Sequence, residues 1–187
     1  MRSLYESLLD DEDDVVDKLD TKALIEHWLK KYNIKNYKIN KDNTIDVRGD
    51  VDLSQYPEKE FPKYIQFRNV ADRFSVTDSK LNTLKGCPKE VVNFYCYNCN
   101  SLISLEGAPE IVEGEFDCSN CNSLTSLKGA PKKVGRGFYC IGCSNLTSLK
   151  GAPKEVEWYF YCVCCEKLNV TEEDIKKICK VGKEIYI

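Results

Sequence analysis

Four cysteine pairs, each with two residues between its members, carry the strongest chemical signal in this chain. They are Cys96 and Cys99, Cys118 and Cys121, Cys140 and Cys143, and Cys162 and Cys165. Taken alone, successive pairs at this distance match zinc-ribbon spacing, in which four thiolates hold the ion tetrahedrally. Left protonated, the same residues act as small buried hydrophobes. Phase favours the second reading. The pairs recur in step with leucines and Gly-x-Pro turns, and Phe116 stands two residues before Cys118, so on a strand both point to one side. Val76 fills the first thiol slot in an opening copy of the repeat. Thiols stacked one copy above another would also lie within disulfide range. Eleven cysteines with no secretory leader favour the reduced form, and an odd number cannot pair completely. Cys164 falls on the outward parity and is the thiol most open to reaction.

The outward positions form a second chemical surface. Tyr95, Asp117, Tyr139 and Tyr161 occupy one outward column, with Tyr97, Ser119, Ile141 and Val163 in the next. Asn93, Glu115, Gly137 and Tyr159 precede them, and Trp158 stands beside Tyr159. A core does not require these side chains. Tyrosine and tryptophan give large contact area at low entropic cost and are enriched at binding hot spots. The candidate partner-binding residues are therefore Tyr95, Tyr97, Asp117, Tyr139, Ile141, Trp158, Tyr159 and Tyr161. A plain structural reading stands beside this one, because tyrosine favours strands and cross-strand tyrosine pairs stabilise sheets.

What must position both surfaces is a repeat. The segment 124–143, LTSLKGAPKKVGRGFYCIGC, recurs at 102–121 and 146–165, with a shorter copy at 81–99. Leu81, Leu102, Leu124, Leu146 and Leu168 are 21, 22, 22 and 22 residues apart. A fixed period of this size means a stacked array in which one copy cannot bury its Phe, two Leu and Val alone. Residues 61–79 form the degenerate opening copy, as expected of a terminal repeat. Before the array, Leu24, Ile25, Trp28, Leu29 and Tyr32 predict an amphipathic helix over 21–32. Residues 37–40 and 44–47 predict a hairpin. After it, 171–179 predicts a helix with Thr171 as its cap and Ile175, Ile178 and Cys179 facing inward. Residues 183–187 predict a last strand, which with that helix would close the stack.

The repeat resembles leucine-rich repeats, with F-x-C-x-x-C-x-x-L written where that family has L-x-L-x-x-N/C-x-L. The second cysteine takes the position at which such repeats place an asparagine or cysteine that satisfies the turn's backbone. More specifically, the block LTSLKGAPKKV…FYC is similar to short repeats abundant in proteins of large tailed bacteriophages and of gut bacteria. The resemblance spans roughly 51–168. It implies an α+β chain: a leucine-rich-repeat-like β-solenoid of about five coils, an N-terminal helix and hairpin, and a C-terminal helix cap. The expected divisions are an acidic leader at 1–20, a helix and hairpin at 21–50, the solenoid at 51–168 and a cap at 169–187.

Several function classes are disfavoured. The sequence has no phosphate loop, no H-E-x-x-H and no G-x-S-x-G, and its one histidine, His27, lies on a separate helix. A net charge of −3 argues against nucleic acid as the main partner. No apolar run approaches a membrane span. The leader carries eight acidic residues against Arg2 and Lys18, a net −6, leaving +3 for the remaining 167 residues. The expectation is a non-enzymatic protein-binding module, without cofactor or metal, in a host cytoplasm or a virion. Two alternatives stay open. One is a virion-packaged protein whose leader is a sorting peptide, resembling the short N-terminal peptides of internal tailed-phage proteins. The other is a zinc protein.

Overall fold

The computed structural model describes residues 20–187, and the leader reading lies outside that range except for Asp20. Helix α1 (Thr21–Lys31) begins where Asp20 accepts a hydrogen bond from the Lys22 N–H, and it ends with Lys30 and Lys31 in its last turn. Cations there oppose the helix dipole. Its buried face is Leu24, Ile25, Trp28 and Leu29. Strands β1 (Tyr37–Ile39) and β2 (Ile45–Val47) pair antiparallel, as the hairpin pattern predicts.

From β2 onward every pairing is parallel, and the chain winds as a parallel β-solenoid of about six turns. Strand β2 and β3 (Val51–Asp52) both pair with β4 (Phe67–Ser75), and β4 pairs with β5 (Glu90–Tyr95). After β5 each turn carries two short strands. One wall continues through β6 (Ile111–Val112), β8 (Lys133–Val134), β10 (Glu155–Val156) and β12 (Lys180–Val181). The other continues through β7 (Phe116–Asp117), β9 (Gly137–Tyr139), β11 (Tyr159–Tyr161) and β13 (Ile185–Tyr186). Helix α2 (Glu172–Ile178) interrupts the last turn, with Thr171 and Asp174 forming a reciprocal capping box.

The core is a set of columns, each with one residue per turn. Phe74, Phe94, Phe116 and Phe138 stack with ring centroids 5.4–5.7 Å apart and planes within 9° of parallel. Phe160 follows, tilted by 33° at 5.1 Å. Val91, Val112, Val134 and Val156 fill the adjacent wall, and the two leucines of each copy fill the third side. Gly129 and its counterparts Gly107 and Gly151 hold φ near +90°. A Cβ on Gly129 would also come within 2.6 Å of the Glu106 Cα of the previous turn. Glycine is therefore required twice over at that corner, by its dihedral and by the close approach of backbone.

The array starts earlier than 51, because Ile45 and Val47 of β2 already pair in parallel with β4. It also has about six turns rather than five. Neither terminal turn carries a thiol pair: Val51, Leu53 and Tyr56 fill the first, and Ile185 closes the Phe column at the other end. Ile178, expected inward, is exposed. The chain leaves helical geometry at Cys179, so only Ile175 and Cys179 share the buried face.

Candidate binding face and the thiol columns

All eight paired cysteines are buried, and every cysteine is a free thiol. The second column caps turns. Cys121 Sγ donates to Cys96 O at 3.0 Å, Cys143 Sγ to Cys118 O at 3.3 Å, and Cys165 Sγ to Cys140 O at 3.0 Å. Cys99 Sγ donates to Val76 O at 3.1 Å. Each thiol thus donates to a carbonyl of the preceding turn, and Val76 O also accepts the Ser79 N–H at 3.3 Å. In the opening copy Ser79 takes the same slot, its Oγ 3.3 Å from Cys99 Sγ.

Burial pushes the Cys96 thiol up to about 12 and Cys118 well above its ordinary range. With no metal bound, thiols so placed stay protonated at neutral pH and are poor nucleophiles. Among the described residues, no group of three or more His, Cys, Asp or Glu converges in a way that could hold an ion. Cys164 is exposed and sits at φ 58°, the left-handed turn position that Asn98, Asn120 and Gly142 occupy in the other turns. Asparagine and glycine tolerate that region at lower cost than cysteine does.

The outward wall lies on β5, β7, β9, β11 and β13. Parallel register places Tyr95, Asp117, Tyr139, Tyr161 and Tyr186 in one column, one per turn. Tyr139 and Tyr161 stack at 5.0 Å, and Tyr161 and Tyr186 at 4.3 Å with planes 3° apart. Tyr159 leans against Tyr161 at 6.0 Å, and Trp158 meets Tyr159 edge-on at 6.3 Å. Lys183 Nζ lies 4.0 Å from the Trp158 ring centroid, and Arg136 lies over the same ring at 5.5 Å. Tyr97 and Trp158 are among the exposed large hydrophobic side chains, while Ile141 is half-buried. Gly137 leaves the space that the Tyr139 ring fills, since a Cβ there would come within 2.5 Å of ring atoms.

Of the expected residues, Tyr139, Trp158, Tyr159 and Tyr161 form one contiguous aromatic patch. Tyr95 lies two turns away, beyond Asp117. Its hydroxyl donates to Glu115 Oε2 at 3.0 Å, and burial followed by that carboxylate raises its pKa to about 12. Ser119, expected outward, is buried, and its Oγ accepts the Ile141 N–H at 3.2 Å. Sequence reasoning missed Tyr186. Its only signal was a two-residue echo, Ile-Tyr, of the Phe-Tyr in earlier copies, with no cysteine after it.

Two shallow grooves lie elsewhere. One of about 470 Å³ runs along α1 and is lined by Glu26, His27, Lys30 and Tyr37 among others. The second, of about 410 Å³, lies at the last turn beside Cys164 and Ile187. No helix among the described residues is long and apolar enough to cross a membrane. Comparison with protein-family models, curated proteins and solved structures finds no match to this chain.

Proposed function

We propose that this chain is a non-enzymatic protein-binding module that contacts its partner through the outward wall around Tyr139, Trp158, Tyr159, Tyr161 and Tyr186. The observation that carries the reading is the concentration of partly exposed aromatic rings on the outer side of one strand wall, where core packing asks for none. Solenoids present such walls as extended contact surfaces. Stacked tyrosines are already ordered before a partner arrives, which lowers the entropic cost of association. We class the coil with leucine-rich-repeat-like arrays within an α+β chain. From the likeness of its repeat block to phage repeats, we assign the partner to a host or virion protein.

The test replaces Tyr95, Tyr139 and Tyr161 with alanine in the full-length chain and measures capture of partners from host cells, with circular dichroism to check the fold. Loss of a specific captured protein, with the fold retained, is the expected result. Undiminished capture would mean that this wall is not the contact surface.

A further inference from the structure

The tyrosine column has one gap, and the gap is acidic. Asp117 occupies the slot between Tyr95 and Tyr139, in direct register with both. Stacked strands are separated by about 4.8 Å, so the backbones bearing the two tyrosines lie about 9.6 Å apart. Aspartate is much shorter than tyrosine, so the missing ring leaves a notch with a carboxylate at its floor. A planar cation midway would lie about 4.8 Å from each flanking layer, within the roughly 6 Å reach of a cation–π contact.

The notch has a second acid and no cation of its own. Glu115 stands one outward position before Asp117 and is held by the Tyr95 hydroxyl. Asp117 Oδ1 accepts the Ser119 N–H at 2.8 Å, and the Ser119 side chain also hydrogen-bonds this carboxyl. Among the described residues, no lysine or arginine forms an ion pair with either carboxylate. Arg73, near Tyr95, is engaged by Asp50 at 3.1 Å. Farther along the same face the character reverses, because Arg136 and Lys183 already cover Trp158.

We infer that the Tyr95–Asp117–Tyr139 notch receives an arginine side chain from an extended segment of the partner protein. Guanidinium fits better than ammonium, because it is planar, stacks on aromatic faces and bonds carboxylates through two N–H groups. The exposed Tyr161–Tyr186 end of the ladder lies two to three turns on, about 12 Å away. An extended peptide covers that distance in about four residues and returns a side chain to the same side at i+4. The segment therefore presents arginine and, four residues from it, an aromatic side chain. This inference rests on the protein-binding reading and specifies the partner's chemistry.

The experiment titrates the ¹⁵N-labelled full-length chain with the acetylated, amidated peptide Arg-Ser-Ser-Ser-Trp and with its citrulline twin, which has nearly the same shape and no charge. The arginine peptide should shift the amides of Asp117, Ser119 and Tyr139, and the citrulline twin should bind at least about tenfold more weakly. D117N, which keeps an acceptor for the Ser119 N–H, should lose the same factor. D117Y completes the ladder, so it should abolish binding while raising the melting temperature. Equal binding of the two peptides, no binding of either, or undiminished binding by D117N or D117Y overturns the inference. If partner capture depends on the tyrosines but not on Asp117, the protein-binding reading stands and the notch assignment falls. If the arginine peptide binds while capture ignores the tyrosines, the reverse holds.

Discussion

Phe116 and Asp117 are neighbours in sequence and belong to two columns of opposite character. Inward, Phe74, Phe94, Phe116, Phe138 and Phe160 run through five turns without a break, and each is fully buried. Outward, the column one residue later reads Tyr95, Asp117, Tyr139, Tyr161 and Tyr186. Both sets ride on the same strands at the same spacing. Packing tolerates no gap in the first and does not demand continuity in the second. The outward column is therefore where residue choice is free to serve something other than the fold.

The sharpest way to break this comparison is to open the same gap on the inside. Phe116→Ala removes a ring sandwiched between two others in a closed core, at a cost of about 3–5 kcal/mol. Tyr139→Ala, one turn on and outward, loses a partly exposed stacking contact worth about 0.5–1.5 kcal/mol. Denaturant unfolding of the two variants under one set of conditions measures the contrast. Equal losses would mean that the outer ladder carries as much of the fold as the core does, and Asp117 would then be a defect to be explained structurally.

Much of this division can be read from residue types. Alternation of Phe and Cys placed both inward, and the period placed the turns. The second thiol's role at the turn is what the resemblance to leucine-rich repeats implies, and it is seen in the Cys121–Cys96 and Cys143–Cys118 hydrogen bonds. The ends of the array were harder to read. Where a coil meets α1 or solvent rather than another coil, its slots no longer need Phe and Cys, so Val51, Tyr56 and Ile185 stand there without the repeat's signature. Strand β12 was missed for the same reason. The burial of Ser119 depends on a hydrogen bond across turns, which parity along one strand does not encode.

A smaller effect tests the thiol half of the interior. Cys121→Ala should cost about 1–3 kcal/mol, because the Cys96 carbonyl is left buried without its donor. Cys121→Ser keeps a donor in nearly the same place and should recover most of that loss. The chain already uses serine in this slot, at Ser79. The two melting curves distinguish a turn-capping hydrogen bond from simple volume filling. If serine is as damaging as alanine, the column is filled for its sulfur volume alone.

The subtlest test concerns the charge in the outward gap. Burial raises the Asp117 pKa above its ordinary value, Ser119 opposes the rise through its hydrogen bonds, and the Glu115 carboxylate adds to it. A carboxylic acid whose folded pKa lies above its unfolded one binds its proton more tightly in the folded state. Ionised Asp117 therefore lowers stability at neutral pH, and the deficit is relieved as pH falls through the folded pKa toward the unfolded value. D117N should be more stable than the parent at pH 7, with the advantage shrinking across that acid window and gone below it. Phe116→Ala, by contrast, should lose the same amount at every pH, since no proton is involved. An arginine peptide bound in the notch should erase the D117N advantage at pH 7, because the cation offsets the charge that burial penalises. A D117N advantage that persists with saturating peptide would place the cation somewhere other than over Asp117.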